Sequence, residues 1–195
     1  MTKLALFDVD GTLLVTPDDV AVRAILDAID PSLPDAVFNR LDHRGRTALS
    51  QVTQILGHSP DDGWCARAER RYEELLGDTS HWRAPDGAAE TLAELRGRGV
   101  ELALLTGSPE RIARIRTERL GLADFFPLGQ GAFGCESESR VELIHRALER
   151  AGVRADEAVE IGDTPLDRET AEEAGIGSIL VQELASFREL ATLLT

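Results

Sequence analysis

Apolar residues recur along this chain in two rhythms. Short unbroken runs flanked by turn residues occur at Leu4-Ala5-Leu6-Phe7, Leu102-Ala103-Leu104-Leu105, Ala158-Val159-Glu160-Ile161 and Ile179-Leu180-Val181. Such runs predict strands covered on both faces, as in parallel sheets. A further short strand is expected near Leu128, among glycines at 129, 131 and 134. Elsewhere the spacing is helical. Val20, Ala21, Ala24, Ile25, Ala28 and Ile29 predict a helix that starts at Pro17-Asp18-Asp19 and runs to about Asp30. Others are predicted over 35–41, 47–56 and 61–76, then from Ala89 to Gly97 or Gly99. The next, over 110–120, should be capped by Ser108 with Pro109 in its first turn. One over 139–151 ends at Gly152, one opens at Thr164-Pro165 and closes at Gly175, and a last runs through Leu194.

No strand signal falls between Pro17 and Arg83, and an all-helical stretch of that size is too long for a connection inside a compact sheet domain. The predicted division is therefore a core of 1–15 with 84–195 and a small helical cap of 16–83. Removing the cap leaves strand and helix alternating through five strands. The fold class is α/β, a Rossmann-like parallel five-stranded sheet with helices on both faces.

Length and charge narrow the picture. A chain of 195 residues can bury roughly 70% of its unfolded surface, so neither disulfide nor metal is needed to hold it together. Cys65 and Cys135 are far apart and make no zinc spacing, which reads as two free thiols in a reducing compartment, with the cytoplasm as the default. No basic-then-apolar leader precedes the first strand, and no apolar run has bilayer length. With 21 basic against 35 acidic residues the formal charge is −14, which disfavours nucleic acid and anionic membrane as partners.

Candidate chemistry sits where the strands end. Asp8 and Asp10, in Asp8-Val9-Asp10-Gly11-Thr12, are two positions apart, so an extended backbone points both carboxylates the same way and they repel. A divalent cation such as Mg²⁺ would relieve that repulsion, and Gly11 would allow a sharp turn beside it. A plain Asp-Gly turn is the alternative, and an EF-hand is excluded because Leu6 and Pro17 would fall at ligand positions. The second and third runs also end in polar residues beside glycine, at Thr106-Gly107 and Gly162-Asp163. In doubly wound sheets such ends gather along one edge, where ligands bind.

Asp8-x-Asp10-Gly11-Thr12, Thr106-Gly107 and Gly162-Asp163-Thr164-Pro165-x-Asp167 resemble three of the four signature motifs of the haloacid dehalogenase-like hydrolase superfamily. The likeness is nearest to helical-cap phosphatases of the phosphoglycolate phosphatase type. It implies Asp8 as nucleophile through an aspartyl-phosphate and Asp10 as general acid and base. Family dehalogenases lack an acid at that second position. It further implies Mg²⁺ held by Asp8, the backbone carbonyl of Asp10 and Asp163, with Asp167 behind them; for Asp167 a helix-dipole role is the alternative. Thr106 and the amides after it, from Gly107, would take the phosphoryl oxygens.

The family's usual lysine has no counterpart, because Lys3 is the only lysine. Arg140, near the start of a helix, is expected in its place, with Arg146 a poorer substitute. In the cap, Arg40, His43, Arg44 and Arg46 form a cationic island, and Gly45-Arg46-Thr47 resembles a turn that such caps bring down on substrate. Arg46 is thus a candidate for binding the leaving group, whereas Trp64, Tyr72 and Trp82 read as packing. The expected partner is a small phosphorylated metabolite. A phosphomutase on the same scaffold and a non-catalytic phospho-sensing protein are the alternatives.

Overall fold

The computed structural model describes residues 2–16, 19–40 and 46–194, with 38–40 by backbone alone. In chain order it contains β1 (Leu4–Phe7), α1 (Val20–Ile29), α2 (Ala48–Leu56), α3 (Trp64–Leu75), α4 (Ala88–Gly97), β2 (Glu101–Thr106), α5 (Glu110–Arg119), β3 (Ala132–Phe133), α6 (Arg140–Ala151), β4 (Ala158–Gly162), α7 (Pro165–Ala174), β5 (Gly177–Leu180) and α8 (Leu190–Leu193). The five strands form one parallel sheet in the order β3-β2-β1-β4-β5. The expected α/β architecture is borne out.

β1 lies at the centre, and each of its four residues is 0% exposed. Alternation then sorts them between faces. Ala5 and Phe7 join Leu102, Leu104, Ile112 and Leu190 on one side, while Leu4 and Leu6 join Leu105, Leu143, Ile144 and Ala171 on the other. Fully burying one such Leu or Phe is worth about 1.5–3 kcal/mol, so the central strand anchors both layers.

A third apolar cluster, with Ile25, Leu26, Val52, Trp64 and Ala68, lies between α1, α2 and α3. Asp27 on α1 ties those helices further by pairing with Arg23 and with Arg71 of α3 at 2.5 and 2.7 Å. Chain enters and leaves this helical layer along adjacent segments: the Val15 amide donates to the Arg83 carbonyl at 3.0 Å, and the Arg83 amide to Thr16 Oγ1 at 2.8 Å. Trp64, Tyr72 and Trp82 are all buried.

Several expectations need correction. Cys65 and Cys135 are not free thiols. They form a disulfide across 70 positions, their Cα atoms 6.2 Å apart, which joins the start of α3 to the loop after β3. The reading of a reducing compartment loses the support it drew from them. The edge strand is Ala132–Phe133, not the region of Leu128, which is 81% exposed. Gly131 sets that position: a Cβ there would lie 2.2 Å from the Leu104 carbonyl oxygen, so only glycine lets the chain close onto β2. The helix expected over 35–41 is a 3₁₀ turn, Asp35–Arg40, and the C-terminal helix is two 3₁₀ turns and the one-turn α8. Ser108 does not cap α5, whose N-cap is Pro109. Among the described residues no helix is long and apolar enough to cross a membrane.

Candidate active site

The C-terminal ends of β1, β2 and β4 lie side by side, bringing Asp8, Thr106 and Asp163 to one edge. The Asp8 amide donates to the Ile161 carbonyl at 2.9 Å, so the ladder itself fixes where its carboxylate stands. After Val9 the chain doubles back through Gly11 at φ 80°. A Cβ at Gly11 would fall 2.2 Å from Asp163 Oδ2, so glycine serves both the turn and the approach of the acid.

Carboxylate oxygens of Asp8, Asp163 and Asp167 lie within 4.8 Å of one another. Three hard oxygen donors beside a space that only glycine leaves open fit a small divalent cation. The Asp10 side chain turns elsewhere, and Asp167 stands within the cluster as well as behind it. Asp167 Oδ2 accepts from the amides of Asp163 and Thr164 at 3.0 and 2.8 Å, while its own amide donates to Thr164 Oγ1 at 3.2 Å. This capping box opens α7 and orients the Asp163 backbone in one device. Oδ2 thus serves the helix terminus, while Oδ1 faces Arg140 at 2.8 Å.

Arg140, the first residue of α6, reaches the cluster from beneath. Its Nη2 stands 2.8 Å from Glu160 Oε1, 2.8 Å from Asp167 Oδ1 and 3.6 Å from Asp8 Oδ1. Burial pushes the Asp8 carboxyl well above the usual range, Arg140 opposes that, and Asp167, Asp10 and Asp163 add repulsion. Burial also lifts Glu160 to about 7 against the pull of Arg140. Burial disfavours the arginine's charge, yet Glu160, Asp8 and Asp167 hold it above the ordinary arginine value. One guanidinium thus faces three buried acids, a balance that a further cation would improve. Arg146 is instead turned to Glu142 at 2.6 Å on the surface.

Thr106 is 1% exposed, its Oγ1 accepting from the Ser108 amide at 3.2 Å, and Gly107 follows at the cavity wall. Ser108 Oγ donates to Asp10 Oδ2 at 3.2 Å. Arg116 of α5 donates from Nη1 to the same oxygen at 2.6 Å and to Ser108 Oγ at 2.9 Å.

Above these groups lies the helical layer. The amides of Ala48 and Leu49 donate to the carbonyls of Gly107 and Gly134 at 2.8 and 2.9 Å. Between floor and roof is a cavity of about 460 Å³, lined below by Asp8, Asp10, Thr106 and Arg140 and above by Arg46 and Gln51. Arg46 is exposed at its mouth. His43 and Arg44, and the side chain of Arg40, lie outside the described residues.

Ser108, Arg116 and Glu160 escaped the sequence reading. A glutamate inside the otherwise apolar run 158–161 was a visible signal, since a buried acid needs a partner. Arg116 gave none, being one of four arginines on α5.

The family model for "Haloacid dehalogenase-like hydrolase" matches residues 5–181. The chain belongs to that family. Among curated relatives of this hydrolase, the probable phosphatase IndB of Dickeya dadantii is 30% identical over 187 residues, covering 92% of this chain and 80% of its own. Phosphoglycolate phosphatase of Rhodospirillum rubrum is 29% identical over 209 residues, with coverages of 99% and 85%. Among solved structures, CbbY from Rhodobacter sphaeroides, in complex with phosphate, superposes with a TM-score of 0.70 at 20% identity, covering 97% of this chain and 96% of that one. The expected family is borne out, and with it a hydrolase of phosphatase type.

Proposed function

We propose that this haloacid dehalogenase-like phosphatase hydrolyses a small phosphate monoester through an aspartyl-phosphate on Asp8, with Mg²⁺ held by Asp8, Asp163 and the backbone carbonyl of Asp10. The single observation that carries the reading is the meeting of Asp8, Asp163 and Asp167 oxygens within 4.8 Å at the floor of the cavity between sheet and helical layer. Bound there, the cation would offset the negative charge between Asp8 and the phosphoryl group. An Asp8 oxygen attacks phosphorus, the ester P–O bond breaks with its electron pair on the leaving oxygen, and Asp10 protonates that oxygen. Water then gives a proton to Asp10 and attacks the aspartyl-phosphate; the bond to Asp8 breaks, and inorganic phosphate leaves. Thr106 and the Gly107 amide receive phosphoryl oxygens, and Arg140 supplies the positive charge usually carried by lysine.

Residues 16–83 act in this reading as a cap that excludes bulk water, with Arg46 turned to the leaving group. A cavity of about 460 Å³ suits a small metabolite. A cytoplasmic setting is part of the proposal, and it makes the Cys65–Cys135 bridge depend on redox state, since thiol pools there keep most cysteines reduced.

The test is Mg²⁺-dependent release of phosphate from 4-nitrophenyl phosphate and from a panel of phosphorylated metabolites. Asp8→Asn should abolish release, and chelation should do the same reversibly. Release that survives Asp8→Asn rejects the assignment, and an isomerised product without net phosphate points to a mutase.

A further inference from the structure

Asp10 is held by a residue no motif indicates. Arg116 is 1% exposed, and its guanidinium carbon lies 5.6 Å from the ring centre of Tyr72 on α3. An arginine this deep needs an acid, because an uncompensated buried charge costs several kcal/mol. An acid it pairs with, Asp10, is the side chain to which the proposed mechanism gives both proton transfers. Arg116 Nη1 and Ser108 Oγ grip one oxygen of Asp10, Oδ2. Among the described residues no hydrogen bond or ion pair reaches Oδ1, and the Asp10 side chain remains 47% exposed at the cavity.

Resting on the phosphatase reading above, we propose that Arg116 is a positioning residue for Asp10. With Ser108 it fixes Oδ2, leaving Oδ1 as the oxygen that passes a proton to the departing oxygen and takes one back from water. The geometry also links this aim to the helical layer. Tyr72 covers the guanidinium from α3, so Asp10 is fully braced only while that layer sits on the sheet. A second tie runs beside it: the Arg111 side chain pairs with Glu73 at 2.7 Å and its amide donates to Glu69 at 2.9 Å, holding α3 against α5.

A purely structural role and a positioning role differ in what they do to leaving groups. A phenolate stabilised by a nitro group departs without a proton, whereas a 4-methylphenolate needs one. The experiment measures kcat and KM for 4-nitrophenyl, phenyl and 4-methylphenyl phosphate with wild type, Arg116→Met, Arg116→Lys and Ser108→Ala, alongside the thermal midpoint of each.

General acids contribute on the order of 100-fold or more, so Arg116→Met should lose about 100-fold in kcat on the 4-methyl ester and under about tenfold on the 4-nitro ester, with KM little changed. Arg116→Lys, which keeps a charge but not the forked geometry, should recover part of the loss, and Ser108→Ala should steepen the dependence to a smaller degree. Equal losses across the three esters, or none, overturn the proposal. If Arg116→Met does not fold, parallel losses in both Arg116→Lys and Ser108→Ala overturn it equally. Failure of the phosphatase reading looks different: wild type would then release no phosphate from any of the three, and the proposal would fall with it.

Discussion

Two buried side chains, Glu160 and Arg140, decide how the acids of this site share their charge. Glu160, 0% exposed in the central part of the sheet, is lifted from 4.5 to about 7, chiefly by burial. A carboxyl whose folded pKa lies above its unfolded one keeps a proton that the unfolded chain has already released. Its contribution to stability is therefore complete below about pH 4.5 and is lost as pH rises through about 7. Glu160→Gln removes that titration while leaving a hydrogen-bonding oxygen for Arg140. Urea unfolding of wild type should then weaken more than that of the variant between about pH 5 and 8, and parallel curves would contradict the assignment. Asp8, Thr106 and Asp163 were legible in advance because each is the first polar residue after an apolar run, a position that sheet topology turns into a shared edge. Arg116 and Ser108 were not, because their partner lies across the sequence. Nothing in a serine before a proline says whether its hydroxyl caps a helix or braces an acid.

Elements reproduce their predicted places where local chemistry is decisive. Thr164-Pro165-x-Asp167 opens α7 with a full capping box, and α2 fills all but the first position of the expected 47–56, where Thr47 is its N-cap. They depart where tertiary contact overrides local preference, as at the edge strand, which is set by the approach of Gly131 to Leu104. The seam between α2 and the sheet edge is the tightest example. A Cβ on Gly107 would lie 2.1 Å from the Arg46 carbonyl oxygen, and one on Gly134 would lie 1.7 Å from the Gly107 carbonyl oxygen. These obstructions are backbone, which cannot rotate away. Gly107→Ala should therefore lift the Arg46–Leu49 segment from the strand ends, lowering kcat/KM by about tenfold or more and stability by about 1–3 kcal/mol. Steady-state kinetics together with urea melts check both, and an unchanged KM and kcat would show that the docking is dispensable.

For the molecule as a whole, the disulfide is the feature least visible in the sequence. Two cysteines 70 positions apart carry no spacing signal, and only the docking of α3 beside the loop after β3 brings them together. Closing a loop of that length is worth about 4 kcal/mol by chain entropy, so Cys65→Ser should lose about 2–4 kcal/mol in non-reducing urea melts and nothing further when a reductant is added. Its position also bears on turnover. The helical layer is already sewn to the sheet where Val15 and Arg83 run side by side, and the bridge stitches it again at the opposite end of α3. A flap fastened along two margins cannot swing open; it can only slacken between them. In oxidised protein, departure of alcohol and phosphate past that slack span should govern the steady state, giving a rapid first turnover followed by a slower rate. Reduction should erase the burst by freeing one margin.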